Sequence, residues 1–72
     1  MKQIDVPLSE DYIELCKLLK LAGVAGSAGQ GKHLVANGEV RLDGQLESRK
    51  TAKIHVGQIV TCLGVRIRVV AE

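Results

Sequence analysis

The spacing of apolar residues divides the chain into a helical first half and a strand-rich second half. At residues 4–8 apolar side chains alternate with polar residues or with Pro7, which is typical of an edge strand. At residues 12–22 they recur every three or four positions, which predicts an amphipathic helix. The preceding cluster at residues 9–11 is suited to cap this helix, and Gly23 is suited to end it.

A second helix is predicted at residues 28–37. Ser27 can cap it, because its hydroxyl can accept a hydrogen bond from a backbone N–H of the first turn. Gln30 stands three residues later and completes a capping-box pattern. Gly31 would cost this helix about 1 kcal/mol relative to Ala. We therefore expect the first helix to approach closely at Gly31.

The rest of the chain has the alternation and turn residues of β structure. Asp43 and Gly44 are a strong signal for a two-residue hairpin turn. Strands are expected on both sides of that turn and after it, at residues 39–42, 45–47, 54–56, 58–63 and 65–70. This order indicates an α+β fold, with two helices on a small, mainly antiparallel sheet. We expect residues 1–72 to form one domain.

The glycine-rich segment GSAGQGKH at residues 26–33 is close to a phosphate-binding loop. Gly26, Gly31 and Lys32 are in register with that motif, but His33 replaces the hydroxyl that would bind magnesium. A phosphate-binding loop follows a buried strand, whereas a helix is predicted before this segment. We therefore expect a turn between two helices, with no bound nucleotide and no cofactor.

Composition excludes some classes of protein without identifying one. Hydrophobic residues make up 46% of the chain and charged residues 25%, as in ordered globular domains. No apolar run is long enough to span a bilayer, and residues 1–12 lack the apolar core of a secretory signal. We expect a cytoplasmic protein with Cys16 and Cys62 buried as thiols, although their spacing leaves a disulfide open.

Positive charge is concentrated in the middle of the chain. Residues 1–21 carry three lysines against four acids, whereas residues 32–53 carry five bases against three acids. This asymmetry favours a polyanionic partner, and a solvated surface of mixed charge explains it equally well. The residues expected to form one cationic binding surface are Gln30, Lys32, His33, Arg41, Arg49, Lys50 and Lys53.

Residues 15–44 resemble the S4-type RNA-binding domain, a family named after a ribosomal protein. The chain matches that family's pattern without gaps at apolar, glycine, serine and basic positions. The matching residues are Leu15, Leu19, Gly23, Val24, Ser27, Lys32, Val35, Gly38, Val40, Leu42 and Gly44. The basic turn at residues 49–53 and the carboxy-terminal hairpin extend the resemblance to a stand-alone bacterial branch of the family.

This resemblance implies a two-helix αL-type motif that binds folded RNA, with ribosomal RNA as one candidate, and no catalysis. Cys16 and Ala28 depart from the family, which has Asp and Arg at these positions. Because the missing Arg removes one expected RNA contact, we expect the basic turn at residues 49–53 to carry more of the binding. Gln30 would either donate to a phosphate or ribose hydroxyl, or only cap its helix.

Folded RNA is favoured over single strands because the chain has one aromatic residue, Tyr12. Readers of single strands stack bases on several aromatic rings. We expect Tyr12 to lie at the start of the first helix, away from the basic turn.

Other functions stay open on the sequence alone. Two helices joined by a glycine turn also suggest a double-stranded DNA binder, although the second helix offers few side chains to base edges. A protein-interaction adaptor would show an exposed apolar patch and binding that survives high salt. An enzyme would need a nucleophile–base or paired-acid constellation, which is not evident. The possible metal ligands lack short paired spacing: Cys16, Cys62, His33 and His55.

Overall fold

The computed structural model describes residues 2–72. In chain order its elements are β1 (Lys2–Leu8), β2 (Ile13–Glu14), α1 (Leu15–Leu21), α2 (Ala28–Ala36), β3 (Val40–Leu42), β4 (Gln45–Leu46), β5 (Lys53–Ile54), β6 (Ile59–Cys62) and β7 (Val65–Ala71). In the described part of the chain, neither helix has the length and apolar content needed to cross a membrane.

The main sheet has the strand order β1-β7-β6-β3-β4, and β2 pairs with β5 in a separate two-stranded sheet. Only the contact between β1 and β7 is parallel among the strand pairs of residues 2–72. The predicted α+β fold with a mainly antiparallel sheet is therefore confirmed. The first strand lies at the edge, where the missing N–H of Pro7 is tolerated.

Both helices cover one face of the main sheet. The core joins buried side chains of the helices to alternate residues of the strands, namely Leu15, Leu18, Leu19, Val35, Val6, Val40, Val60, Ile67 and Val69. Because successive strand side chains point to opposite faces, the residues between these positions lie on the other side of the sheet. We call that side, away from the helices, the outer face.

The first helix begins later than predicted, at Leu15 instead of residue 12. The two residues before it form β2, which pairs with β5, so a tertiary strand contact replaces the first turn. Glu14 occupies the N-cap position, and its side chain makes no capping hydrogen bond. The predicted capping role of residues 9–11 is therefore wrong, because those residues lie ahead of β2.

The second helix follows the prediction closely. The backbone N–H of Gln30 donates to the Ser27 hydroxyl at 3.1 Å, and Ser27 has the extended backbone of an N-cap residue. The side-chain oxygen of Gln30 accepts a hydrogen bond from the backbone N–H of Gly26. This reciprocal pair closes the turn between the helices, as a capping box does.

We expect Ser27→Ala to lower the free energy of unfolding by about 1 kcal/mol, because an orphan N–H of α2 loses its acceptor. Chemical denaturation measures this loss. Ser9→Ala is the matched control, since Ser9 is exposed and caps no helix. Equal effects of the two substitutions would contradict the capping role of Ser27.

Gly31 marks the closest approach of the two helices. A Cβ atom added there would lie 2.8 Å from the carbonyl oxygen of Cys16, closer than real Cβ atoms come to other atoms. The obstacle is backbone of α1, which has little freedom to move. The predicted reason for a glycine inside this helix is therefore confirmed.

Substitutions at two glycines of α2 should have opposite effects. We expect Gly31→Ala to destabilise the fold by about 1–3 kcal/mol, because the methyl group overpacks against Cys16. Gly29→Ala should stabilise it by up to about 1 kcal/mol, because alanine favours the helix and the added methyl group would lie at an ordinary 3.8 Å from the Ser27 hydroxyl oxygen. Thermal or chemical unfolding of both variants tests the close contact, and a stabilised Gly31→Ala protein would disprove it.

The hairpin turn between β3 and β4 also agrees with the prediction. Asp43 and Gly44 both have positive φ, at 50° and 85°, as the two central residues of a type I′ turn require. Asp43 further accepts a hydrogen bond from the backbone N–H of Ile59 at 3.0 Å, which ties the turn to β6.

Candidate nucleic-acid interface

Helix α2 presents its polar residues to solvent. Lys32 and His33 are exposed on the side away from the core, whereas Gly31 and Val35 are buried. Gln30 is exposed as well, and its side-chain oxygen is occupied by Gly26. Its amide N–H groups remain available to donate, so capping and ligand binding are compatible roles for this residue.

The basic turn at residues 49–53 is fixed to the start of α1. The backbone N–H of Leu15 donates to the carbonyl of Ala52 at 2.9 Å, and that of Cys16 donates to the carbonyl of Lys50 at 3.2 Å. These carbonyls satisfy N–H groups at the start of a helix that has no side-chain cap. The turn therefore has a defined place at the start of α1.

Cys16 lies between the two basic segments. Its backbone N–H bonds to Lys50, and its carbonyl oxygen contacts Gly31, the residue before Lys32. The structure thus places Gly31 of α2 and the turn at residues 49–53 against the same residue at the start of α1. The backbone contacts that position these two segments join distant parts of the chain, and the sequence did not reveal them.

Arg49 is engaged by a neighbouring carboxylate. Its Nη2 and Nε atoms donate to Glu47 at 3.1 and 3.2 Å, and its backbone N–H donates to the same side chain at 2.9 Å. Glu47 is the one buried charged residue of the part described. The guanidinium remains largely exposed, with one edge turned to Glu47 and the rest facing solvent. Sequence analysis missed this pair, although the Glu-Ser-Arg spacing was visible.

The hydrogen bonds from the Arg49 side chain and backbone lower the pKa of Glu47 from its ordinary 4.5. The same pairing raises the pKa of Arg49. Arg49 therefore stabilises the loop around Glu47 in addition to carrying charge at the surface.

Lys53 and Tyr12 lie together, so the expectation that Tyr12 is remote from the basic turn is wrong. The ammonium of Lys53 is 4.9 Å from the centroid of the Tyr12 ring, within the range of a cation–π contact. The pairing of β2 with β5 places Lys53 opposite Glu14 and brings the two segments side by side. The centroid of the His55 ring lies 6.2 Å from that of the Tyr12 ring, and this cluster was not predicted from the sequence.

Arg41 does not join the other basic residues. It lies in β3 between buried Val40 and half-buried Leu42, both of which pack into the core under the helices. Its side chain therefore projects from the outer face of the sheet. The expected single surface is divided in two, with Arg41 on the opposite side from α2.

Two surface pockets differ in charge. One is lined by Arg49, Thr51, Ala52 and Lys53 at the basic turn. The larger one lies beside Tyr12 and carries three carboxylates with one lysine, from Glu10, Asp11, Glu14 and Lys17. Of these two pockets, the one at the basic turn has the sign of charge that suits a polyanion.

The candidate metal ligands are not assembled. Within residues 2–72, no three His, Cys, Asp or Glu side chains are grouped to hold a metal ion. Cys16 and Cys62 are both buried free thiols, and burial raises the pKa of Cys62.

A capped second helix and a basic turn fixed to the first helix, both beside a small sheet, define a two-helix α+β module, and the chain belongs to the S4 domain family. Residues 6–70 match that family. The chain is 47% identical over 60 residues to YbcJ of Escherichia coli (strain K12), which is named as a candidate RNA-binding protein. The match covers 83% of this chain and 86% of that relative. YbcJ of Shigella flexneri matches to the same extent.

A solved structure supports the same assignment. The solution structure of YbcJ from Escherichia coli, described as revealing an αL motif involved in RNA-binding, superposes with a TM-score of 0.70 at 41% identity. The match covers 99% of this chain and 89% of that one. The predicted resemblance to the S4 family, and to its bacterial branch typified by YbcJ, is confirmed.

The Glu47–Arg49 pair should make stability depend on pH in the acid range. A carboxyl group with a lowered pKa in the folded state stabilises the fold in full above its unfolded pKa, and this contribution is lost as the pH falls through the lowered value. We expect Glu47→Gln to be less stable than the parent near neutrality, with the difference shrinking below pH 4.5. Urea denaturation across this range measures it.

Glu10→Gln is the control for this experiment, because Glu10 is exposed and is in none of the ion pairs within residues 2–72. A stability difference for Glu47→Gln that stays constant with pH would contradict the ion pair.

Proposed function

We propose that this chain is a non-catalytic module that binds folded RNA through the surface formed by α2 and the turn at residues 49–53. The observation that carries the proposal is the anchoring of both basic segments on the backbone of Cys16. A fixed pair of cationic segments can contact successive phosphates with little loss of backbone freedom on binding. The residues that would face RNA there are Gln30, Lys32, His33, Arg49, Lys50 and Lys53.

The identity of the partner as RNA is supported by the family. The S4 domain covers nearly the whole chain, and YbcJ carries the RNA-binding description. Lysine and arginine side chains bind phosphates by releasing condensed counterions, a contribution that does not depend on base sequence. Ribosomal RNA is a reasonable folded partner for such a surface, and two free thiols are consistent with work in the reducing cytoplasm.

Folded RNA suits this surface better than a single strand. Single-strand readers stack successive bases on several aromatic rings, and this chain has one aromatic residue. That residue is Tyr12, and its ring is already in contact with the protein itself, with the Lys53 ammonium over it and the His55 ring beside it. Recognition by backbone shape and hydroxyl groups needs no such platform.

An adaptor function is not favoured by the distribution of apolar residues. The large exposed apolar side chains of residues 2–72 include Leu21, Leu46, Val56 and Leu63. They are distributed over the end of α1, β4 and the turns at the two ends of β6. A protein interface normally requires a contiguous apolar patch.

The decisive experiment removes one charge from each basic segment. We expect Lys32→Gln combined with Lys50→Gln to weaken binding to an RNA hairpin at low salt. The slope of log K against log salt should flatten by roughly one to two units, because each duplex phosphate contact contributes about 0.9. Fluorescence anisotropy of a labelled hairpin across a salt series measures both. Thermal stability should stay unchanged, because both side chains are exposed.

Lys17→Gln combined with Lys20→Gln is the matched control, because it removes the same charge from α1. Equal weakening by the two double variants would mean that the attraction is diffuse and that the proposed surface is wrong. Equal affinity for a DNA duplex of the same sequence would contradict a preference for RNA. Hairpin binding without any salt dependence would contradict phosphate contacts altogether.

A further inference from the structure

The outer face of the main sheet carries a row of basic side chains. Arg41 in β3 is paired with Thr61 in β6, and Thr61 is paired with Arg66 in β7. Residues paired across neighbouring strands project from the same face. These three side chains therefore form one row on the side of the sheet away from the helices.

The two arginines of this row are available to a ligand. Arg41 and Arg66 are exposed, and neither forms an ion pair with an acid within residues 2–72. Arg68 lies on the same face, two residues further along β7, and is held by Asp5 at 2.9 Å. That contact lowers the pKa of Asp5, as expected for a carboxylate paired with a guanidinium. The face thus presents three guanidinium groups against one carboxylate.

The spacing of the row suits a sugar–phosphate backbone. Neighbouring strands are about 4.8 Å apart, so the Cα atoms of Arg41 and Arg66 are separated by roughly 10 Å. The half-buried Thr61 lies between them and has a hydroxyl that can donate or accept. Flanking cations with a central hydroxyl match phosphates on both sides of a ribose hydroxyl, as presented by the wide, shallow minor groove of an RNA duplex.

We propose that the outer face is a second RNA-backbone contact, so that one molecule holds two RNA segments on opposite sides. This inference rests on the proposed function, because it takes the polyanionic partner to be RNA. The sheet separates the row from α2 and from the turn at residues 49–53. The molecule measures 22 Å along its shortest axis. Repulsion between two bound backbones is screened over about 8 Å at physiological salt, which permits both to bind.

Stoichiometry with an RNA hairpin in excess tests the proposal. Analytical ultracentrifugation of the full chain with a labelled hairpin at physiological salt should show two hairpins bound to each protein molecule. Arg41→Gln combined with Arg66→Gln should leave one. Arg41→Lys combined with Arg66→Lys, which keeps the charge, should retain two. The control Lys17→Gln with Lys20→Gln should also retain two, and circular dichroism checks that each variant is folded.

The failure of this inference is distinct from the failure of the proposed function. A single hairpin on the parent protein, unaffected or only weakened by the arginine substitutions, would disprove a second contact. Two hairpins retained after Lys32→Gln with Lys50→Gln, but one after the arginine substitutions, would support the outer-face contact and contradict the surface proposed for α2 and the turn at residues 49–53. Binding of poly-glutamate tests the alternative of an acidic protein partner. If the arginine variant keeps both hairpins but loses poly-glutamate binding that the parent shows, the outer face is a site for an acidic protein and the proposal is wrong.

Discussion

The backbone of Cys16 is the point on which the candidate interface depends. Its N–H is bonded to the carbonyl of Lys50, and its carbonyl oxygen is in contact with Gly31 of the second helix. Helix α1 has no side-chain cap, so the turn at residues 49–53 satisfies its first N–H groups. The same few atoms therefore stabilise the start of a helix and hold two basic segments in a defined relation.

Some basic residues of this protein pair with carboxylates, and others face the solvent. Arg49 and Arg68 each contact a carboxylate, Glu47 and Asp5 respectively. The exposed Asp5–Arg68 pair contributes little to net stability, whereas Glu47 is buried beside Arg49. The lysines of the basic segments and two arginines of the outer face are turned to solvent. A formal net charge of +2 conceals this division, because it sums over faces that a partner meets separately.

The resemblance to the S4 family does not decide on which face of the molecule each basic residue lies. The capped second helix, the glycine at the helix crossing and the hairpin turn are features of the segment that resembles S4 domains. Arg41 lies within that segment as well, yet the pleat of β3 directs it away from the helices. Membership of a family thus does not decide which face a basic residue occupies.

The sequence by itself determined the elements whose causes are local. Ser27 with Gln30 fixed the start of α2, and Asp43 with Gly44 fixed a turn that needs positive φ. The alternation of residues 65–70 fixed a strand, which the structure extends by one residue. Each of these follows from hydrogen bonds and backbone angles within a few residues, so a short window of sequence was sufficient.

Only the tertiary structure decided the features that join distant segments. The pairing of β2 with β5 shortened the first helix and brought Lys53 over Tyr12. The register of β3, β6 and β7 aligned Arg41 with Arg66. Side-chain alternation predicts that an arginine in a strand points away from the core, but it does not predict which strand lies beside it. That choice is made by long-range pairing and by the burial of one sheet face under the helices.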